Sequence, residues 1–179
     1  MASLKSTVLG GGCFWCLEAV FQRLQGVASV ESGYMGGTAD RPTYEQVCGG
    51  DTGHVEVVKI AFDPEVVGFL ELLAVFFVIH DPTTLNRQGT DMGTQYRSVI
   101  FYADDEQRRE SEAAIAELTA EKAFAKPIVT RVAPQSAFYK AKSYHQDYFN
   151  KNPHAPYCQF VVWPKVEKFQ KLFAEKAKA

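Results

Sequence analysis

The stretch from Ser6 to Gly26 reads STVLGGGCFWCLEAVFQRLQG and decides how the chain begins to fold. The apolar segment that ends at Leu9 predicts a short β-strand, which three consecutive glycines end in a flexible turn. From Cys13 to Leu24 the apolar residues recur every three or four positions, which predicts one face of an amphipathic helix. Gly26 then suits the C-terminal cap of that helix. A strand, a glycine turn and a helix are therefore expected in direct succession.

The glycine turn leads into two cysteines that are separated by two aromatic residues. Backbone N–H groups are unpaired at the start of a helix and point at whatever group lies there. Cys13 is placed at this position, where the positive end of the helix dipole favours the thiolate over the thiol. Cys16 follows one helical turn later, within reach of a disulfide. Phe14 and Trp15 suit a small apolar pocket beside the nucleophile, although Phe14 at helical spacing also fits a core position.

Other kinds of site fit this segment less well. A zinc site needs a second pair of ligands, and Cys48, Cys158 and the histidines offer no paired spacing, so we expect no metal. A phosphate-binding loop would need a Gly-x-Gly-x-x-Gly pattern or a Lys-Ser/Thr pair after the glycines. Redox chemistry of the thiols is favoured. The alternatives are a thiol–disulfide oxidoreductase that acts on protein disulfides, and a metal-binding or redox-sensing module without turnover.

Strands and helices alternate along the rest of the chain. The spacing of apolar residues predicts strands at 27–34, 54–62, 95–102 and 128–132, and helices at 63–78, 104–122 and 141–150. Asp63 and Pro64 suit the N-cap and first position of a helix. The segment 80–94 has no period and predicts a long loop, a kind of segment that is usually functional.

This order of elements predicts an α+β fold. We expect a two-layer sandwich in which helices pack on a mixed β-sheet built from ferredoxin-like βαβ units, with long coil segments. A last helix carries one apolar stripe, formed by Val166, Phe169, Leu172 and Phe173. Residues 1–179 are therefore expected to form a single catalytic domain, with segment 150–179 docked on its core.

The composition is that of an ordinary soluble globular protein. The 179 residues are 46% hydrophobic and 22% charged, and the net charge is −2, which argues against a partner that is nucleic acid or a membrane surface. The longest apolar run, 66–79, contains Glu71 and is shorter than the ~20 residues that span a bilayer. No signal-peptide pattern opens the sequence, and four cysteines are too few for a disulfide scaffold. We expect a cytoplasmic monomer.

Several further motifs are shared with one enzyme family. The chain resembles the type A peptide methionine sulfoxide reductases in blocks that occur in the family's order over residues 10–158. These blocks are Gly12-Cys13-Phe14-Trp15, Gly33-Tyr34-Met35-Gly36-Gly37, Pro42-Thr43-Tyr44 with Val47-Cys48, Gly53-His54-Val55-Glu56-Val57, His80-Asp81-Pro82-Thr83, Asn86-Arg87-Gln88-Gly89, Asp91-x-Gly93-Thr94-Gln95-Tyr96-Arg97-Ser98, Tyr144-His145-Gln146-x-Tyr148 and Pro156-Tyr157-Cys158. So many matches in register are highly specific.

The resemblance implies a role for particular residues. Cys13 would be the nucleophile that attacks the sulfoxide sulfur. Glu56 would donate the proton to the departing oxygen, which requires a buried carboxyl group with a raised pKa. Aromatic and polar residues of the motifs would bind the substrate: Phe14 and Trp15 around the methyl group, Tyr44 and Tyr96 at the sulfoxide oxygen, and Asp91 through polar contacts. His54, His145 and Tyr148 would make structural hydrogen bonds.

The resemblance also implies how the enzyme is regenerated. The sulfenic acid on Cys13 would form an intramolecular disulfide that thioredoxin or another dithiol reduces, and no organic cofactor or metal would be needed. Cys16 is expected to close this disulfide ahead of Cys158, which follows Pro156 in a segment that resembles a mobile tail. Cys48 is expected to face inward as a bystander. The substrates would be free methionine sulfoxide and oxidised proteins or peptides, with reduction of the S epimer only.

Three positions depart from the family pattern. Met35 replaces a small residue, and Thr90 stands where asparagine is common. Lys142 and Ser143 replace the acidic pair that usually precedes Tyr144. None of these departures affects a residue that is assigned chemistry, but Lys142 changes the charge at the start of a helix.

Overall fold

The computed structural model describes residues 3–178, which form a mixed six-stranded sheet covered by helices. The strands are β1 (Lys5–Gly10), β2 (Val27–Met35), β3 (Val55–Phe62), β4 (Arg87–Gln88), β5 (Asp91–Met92), β6 (Val99–Tyr102), β7 (Arg131–Pro134) and β8 (Tyr139–Lys140). The helices are α1 (Phe14–Phe21), α2 (Tyr44–Cys48), α3 (Phe69–Ile79), α4 (Asp105–Ala120), α5 (Tyr148–Lys151) and α6 (Trp163–Leu172). Between residues 3 and 178 no helix is long and apolar enough to cross a membrane.

The sheet has the strand order β7-β6-β1-β3-β2-β8. The four strands β6, β1, β3 and β2 pair antiparallel in the arrangement of a ferredoxin-like fold, and β7 adds in parallel to β6. The predicted α+β class with a mixed sheet is confirmed. The separate pair β4 and β5 forms a small hairpin inside the segment that we predicted as a loop.

Alternation along β3 divides the core between the two faces of the sheet. Val58, Ile60 and Phe62 point to the face that is covered by α1, α3 and α6. Val55 and Val57 point to the other face, where they pack with residues of β1, β2 and β6. Glu56 shares the face of Val58 by this alternation and is therefore directed toward α1 rather than toward solvent.

The helix predicted from Asp63 begins later than expected. Asp63 and Pro64 form a turn in which the Asp63 carboxylate accepts a hydrogen bond from the N–H of Glu65 at 2.9 Å, and α3 starts only after Gly68. Val67 is 2% exposed and packs against Gly26, whose Cβ, if present, would lie 2.6 Å from it. Burial of this valine in the turn outweighs the local helix-start signal.

Other predicted boundaries also change. The first helix ends at Phe21, and Gly26 takes φ 92° in the turn beyond it rather than at the helix end. The segment 141–150 is not one helix, because Asp147 adopts a left-handed conformation with φ 58° between a 3₁₀ turn and α5. The predicted strand 95–102 is shortened to β6 by a 3₁₀ turn, and the strand predicted at 128–132 begins only at Arg131 and continues to Pro134 as β7.

The apolar stripe of the last helix is correct in part. Val166 and Phe169 are fully buried on the core that α1 and α3 share, and Phe173 is partly buried there. Leu172 was included in the stripe wrongly, since its side chain is 60% exposed. Instead, Val162 completes the buried face from the π-helical turn, Cys158–Val162, that leads into α6.

Candidate active site

The turn between β1 and α1 places Cys13 at the N-terminus of the helix. Cys13 is the N-cap residue of α1 and is 8% exposed. Gly12 before it has φ 95°, and a Cβ at this position would lie 2.8 Å from the Gln88 side chain. Only glycine fits this left-handed and crowded position without strain. The predicted location of Cys13 at a helix start is therefore observed.

The ionisation of Cys13 differs from the prediction based on the helix dipole. Burial raises the pKa of the Cys13 thiol well above its ordinary value, and its hydrogen bond with Cys16 and the charge of Glu56 act in the same direction. A hydrogen bond from the backbone N–H of Trp15 lowers this pKa but does not outweigh burial. Cys13 is therefore a thiol in the free molecule, because the loss of hydration destabilises the thiolate more than the N-terminus of α1 stabilises it.

Glu56 on β3 lies directly beside the start of α1. Its side chain is 1% exposed, and its Oε1 accepts a hydrogen bond of 3.1 Å from the backbone N–H of Phe14, the residue that follows Cys13. Its Oε2 has no hydrogen-bond partner among residues 3–178. One carboxyl oxygen is thus held by the helix start, and the other remains available to a substrate.

The environment of Glu56 keeps its carboxyl group protonated at neutral pH. Burial raises the pKa of Glu56 to about 8, while the hydrogen bond from Phe14 opposes the shift and the charge of Asp91 adds to it. A buried carboxylic acid with a pKa near the working pH is suited to proton donation. The burial that the family resemblance implied for Glu56 is therefore observed.

Three phenol groups surround this carboxyl group. Burial raises the pKa of Tyr34, Tyr44 and Tyr96, and the charge of Glu56 contributes to each shift. Tyr34 pairs with Glu56 across β2 and β3, Tyr44 opens α2, and Tyr96 ends the 3₁₀ turn before β6. All three phenols stay protonated at neutral pH and can donate a hydrogen bond.

The aromatic residues of the motif form a wall beside the thiol. The rings of Trp15 and Tyr148 stack at 3.8 Å with an angle of 10° between their planes. Trp15 also contacts His145 at 5.8 Å and Tyr157 at 5.7 Å between ring centroids. Phe14 lies behind this wall and is fully buried, so the accessible apolar surface is that of Trp15 and its neighbours. A methyl group fits such a surface.

Asp91 is engaged by a residue to which the sequence analysis assigned no role. The Tyr157 hydroxyl donates a hydrogen bond of 2.5 Å to Oδ2 of Asp91. The Pro156-Tyr157-Cys158 motif was the only sequence signal for this tyrosine. The contact joins the hairpin of β4 and β5 to the segment before α6.

The two candidate resolving cysteines are both buried. Cys16 is 1% exposed and Cys158 is 0% exposed, and all four cysteines are free thiols. Cys16 lies one turn after Cys13 and hydrogen-bonds with it, and its charge also raises the pKa of Cys158. Cys158 begins the π-helical turn and is buried in the core that includes α1.

The remaining expectations have mixed outcomes. Cys48 ends α2 and is exposed, so the prediction that it faces inward is wrong. A five-residue helix at the surface leaves its last residue in solvent despite the favourable spacing from Tyr44. His54 makes the predicted structural hydrogen bonds, since Nδ1 accepts from Gly37 N at 3.0 Å and Nε2 contacts the Ala39 carbonyl at 2.6 Å.

His145 differs from His54. Its side chain is 2% exposed, and neither ring nitrogen has a hydrogen-bond partner within residues 3–178. Tyr148 contributes its ring to the stack with Trp15, while its backbone N–H donates to Glu18 Oε1 at 3.3 Å. In the same part of the chain, no group of three or more His, Cys, Asp or Glu side chains is arranged to hold a metal ion.

Comparisons with known proteins match this geometry to one family. A family model described as peptide methionine sulfoxide reductase matches residues 5–177. A relative named peptide methionine sulfoxide reductase MsrA from Saccharolobus solfataricus is 53% identical over 175 residues, which cover 98% of each chain. Another protein of that name from Ralstonia nicotianae is 54% identical over 181 residues and covers 99% of this chain and 95% of its own length.

Solved structures show the same architecture. Reduced Mxr1 from Saccharomyces cerevisiae superposes with a TM-score of 0.78 at 37% identity, over 87% of this chain and 89% of the yeast chain. The structure of Mxr1 in complex with Trx2 gives a TM-score of 0.55 at 25% identity, over 81% and 84% of the two chains. With the thiol, the buried carboxyl group and the phenols in place and nearly the whole length matched, the chain belongs to the peptide methionine sulfoxide reductase family of oxidoreductases.

Proposed function

We propose that this chain reduces methionine-S-sulfoxide, free or within proteins and peptides, to methionine, and that it thereby repairs oxidised proteins. The observation that carries the proposal is the position of Glu56. Its protonated carboxyl group is bound at 3.1 Å by the N–H of Phe14, the residue that follows the candidate nucleophile Cys13. A thiol and an acid on one helix start are the two groups that sulfoxide reduction requires.

The first step neither takes up nor releases a proton overall. The Cys13 sulfur attacks the sulfoxide sulfur and forms a transient sulfur–sulfur bond. The oxygen then transfers to the Cys13 sulfur as this bond and the sulfur–oxygen bond of the substrate break, which leaves a sulfenic acid on Cys13 and releases methionine. The substrate sulfur gains two electrons and Cys13 loses two. Glu56 donates its proton to the oxygen, and the Cys13 thiol proton passes to the resulting carboxylate, whose Oε2 has no partner among residues 3–178. Because Cys13 is a thiol in the free molecule, this transfer explains how a buried cysteine becomes reactive only with substrate bound.

The neighbouring side chains supply binding and orientation. Tyr44 and Tyr96 are proposed to donate hydrogen bonds to the sulfoxide oxygen as negative charge develops there. Trp15, backed by Phe14, is proposed to hold the methyl group, a contact worth about 1–3 kcal/mol in selectivity. Asp91, fixed by Tyr157, is proposed to hold the rest of the substrate through polar contacts.

Regeneration requires a second thiol and an external reductant. Cys16 condenses with the Cys13 sulfenic acid, which forms a disulfide and releases water. Thioredoxin or another dithiol then reduces this disulfide by exchange, with no organic cofactor. The solved complex of the yeast relative Mxr1 with Trx2 supports this choice of partner. The cytoplasm, where such dithiols are kept reduced, is the compartment that suits the cycle.

A turnover assay on the two sulfoxide epimers tests the proposal. With dithiothreitol as reductant we expect turnover of the S epimer and none of the R epimer. Cys13→Ser should retain less than about a hundredth of this activity while keeping its circular dichroism spectrum, because a serine hydroxyl stays protonated and is a poor nucleophile. Comparable rates on both epimers, or an active Cys13→Ser variant, would refute the proposed function.

A further inference from the structure

A second buried carboxyl group lies on α1 and is not used by the proposed reaction. Glu18 is 1% exposed, and its Oε1 accepts a hydrogen bond of 3.3 Å from the backbone N–H of Tyr148. Its Oε2 has no hydrogen-bond partner among residues 3–178. Burial of a carboxyl group costs free energy that hydrogen bonds must offset, so the contact with the Tyr148 backbone is what favours a glutamate at this position.

The carboxyl group of Glu18 faces the turn that begins α5. Burial raises the pKa of Glu18, whereas the backbone N–H groups of Asp147 and Tyr148 oppose this shift, as donors to a carboxylate do. Asp147 has a left-handed φ of 58°, and Tyr148 is the first residue of α5, where N–H groups have no partner within the helix. Glu18 therefore supplies the acceptor that this turn lacks.

The face of α1 that carries Glu18 also carries Trp15. Trp15, Glu18 and Gln22 are spaced by three and four residues, which places them on one side of the helix. Gln22 donates a hydrogen bond of 3.1 Å to Oδ1 of Asp147 and so holds a side chain of the turn. Glu18 instead holds the backbone of Tyr148, whose ring lies on Trp15.

The ring of Tyr148 is the main support of the Trp15 indole. The two rings stack at 3.8 Å between centroids with 10° between their planes, whereas His145 and Tyr157 lie 5.8 and 5.7 Å from the indole. The Nε1 of Trp15 has no hydrogen-bond partner among residues 3–178. Ring packing, rather than a hydrogen bond from this part of the chain, therefore sets the plane of the indole.

We propose that Glu18 is a positioning residue for the surface that binds the methyl group of the substrate. It holds the backbone N–H of Tyr148, which keeps the Tyr148 ring against Trp15 and fixes the indole. Glu18 itself touches no reacting atom and transfers no proton. The inference rests on the proposed function and adds to it a determinant of selectivity for the methyl group.

Fluorescence of Trp15 tests the positioning without turnover. Trp163→Phe leaves Trp15 as the only tryptophan of the chain, and acrylamide quenching then reports how closely the indole is covered. In this background, Glu18→Leu should raise the quenching constant, because leucine offers no acceptor to Tyr148. Glu18→Gln should retain the original constant, since its amide oxygen can accept from Tyr148 while its amide nitrogen takes the place of the unpartnered Oε2.

Selectivity between two substrates tests the consequence for binding. Methionine-S-sulfoxide is compared with ethionine-S-sulfoxide, which has one more methylene group at the sulfur. Glu18→Leu should lower the methyl-to-ethyl ratio of kcat/KM by about three- to tenfold, a part of what one methylene group is worth in an apolar pocket. Glu18→Gln should keep the wild-type ratio. Glu18→Asp, whose carboxyl group is one methylene farther from Tyr148, should lower the ratio in the same direction even if the leucine variant does not fold.

A double replacement shows whether Glu18 acts through the ring. In a Tyr148→Ala background, adding Glu18→Leu should change the ratio no further, because the ring that it holds is gone. The matched control is Gln107→Leu, which also replaces a buried polar side chain. Gln107 is 4% exposed and bonds the Ala103 N–H and the Ser6 carbonyl, both at 2.9 Å. This variant should leave both the ratio and the quenching of Trp15 unchanged.

The outcomes separate the positioning role from the reaction. An unchanged ratio and unchanged quenching in Glu18→Leu and Glu18→Asp overturn the inference, as does an equal fall of the ratio in Gln107→Leu. A further fall of the same size in the Tyr148→Ala background also overturns it. If the wild type does not reduce methionine-S-sulfoxide, the proposed function fails, while the quenching of Trp15 still decides the positioning role.

Discussion

Glu56 shows how burial of one side chain sets the chemistry at the residue scale. Glutamate is a residue type that usually lies at the surface, yet this side chain on β3 points under α1 and is 1% exposed. The pKa of about 8 follows mainly from this loss of water. The same burial acts on Cys13, so both groups are protonated in the free molecule and the proton must move during the reaction.

Replacing this carboxyl group by an amide tests its role as the acid. Glu56→Gln keeps the shape and the hydrogen bond from Phe14 but cannot deliver a proton, so we expect the single-turnover rate to fall by about 10²–10⁴-fold. Tyr44→Phe and Tyr96→Phe should each cost less, because one phenol remains.

The pH profile gives an independent check on the same residue. The wild-type rate of the reduction step should decline as the pH rises through about 8, where Glu56 loses its proton. The slow residual reaction of Glu56→Gln should not show this decline of rate with rising pH. A variant with nearly wild-type speed would show that the acid is a different group.

At the scale of elements, α1 and the turn before α6 offer different thiols for closing the disulfide. Cys16 belongs to the same helix as Cys13 and needs no rearrangement of another element. Cys158 is fully buried in a π-helical turn packed on α1, so its attack would require this turn to move. Short local loop closure has the smaller entropic cost.

Cysteine replacement distinguishes these two thiols. With thioredoxin as the reductant, Cys16→Ser should release one equivalent of methionine and then stall, whereas Cys158→Ser should cycle almost normally. Peptide mapping of the oxidised wild type should find Cys13 joined to Cys16. A Cys13–Cys158 bridge as the main product would reverse this assignment.

The packing of α6 is also an element-scale property. Phe169 is fully buried, so Phe169→Ala should lower the free energy of unfolding by about 3–5 kcal/mol. Leu172 is 60% exposed, and Leu172→Ala on the same helix should change it by less than about 0.5 kcal/mol. Urea unfolding of both variants measures the difference. Equal losses would mean that the helix packs through a different face.

At the scale of the whole molecule, buried ionisable groups couple stability to pH. The pKa of Glu56 is raised to about 8, so the folded state binds more protons than the unfolded state from about pH 4.5 to 8, and stability falls as the pH rises through this range. Burial lowers the pKa of His80 to about 4, so this group has the opposite effect between about pH 4 and 6.5. These two effects oppose each other below pH 6.5, and above it the loss from Glu56 is no longer offset by His80.

We therefore expect the free energy of unfolding to decline between about pH 6.5 and 8. Glu56→Gln should remove most of this decline, because the amide does not titrate. Urea titrations at both pH values measure the effect in the wild type and the variant. A wild-type stability that rises over this range would contradict the protonated state of buried Glu56.

The sequence by itself determined the features that depend on local order. The glycine turn, the helix-start cysteine, the αβ alternation and the motif blocks all follow from neighbouring residues, and they were sufficient for the α+β class and the family. The motif that contains Glu56 also implied, through the family resemblance, that this carboxyl group is buried. These properties depend on short spacings, which one chain displays directly.

Only the tertiary structure decided the features that depend on distant residues. Val67 packs on Gly26 and delays α3, and the π-helical turn buries Cys158 against α1. Burial also reverses the predicted ionisation of Cys13. The pairing of Tyr157 with Asp91 has no sequence spacing that would reveal it. Each of these features depends on contacts with elements that are far away in the chain, and on the burial that those contacts cause. The extent of burial is set only once those elements have packed.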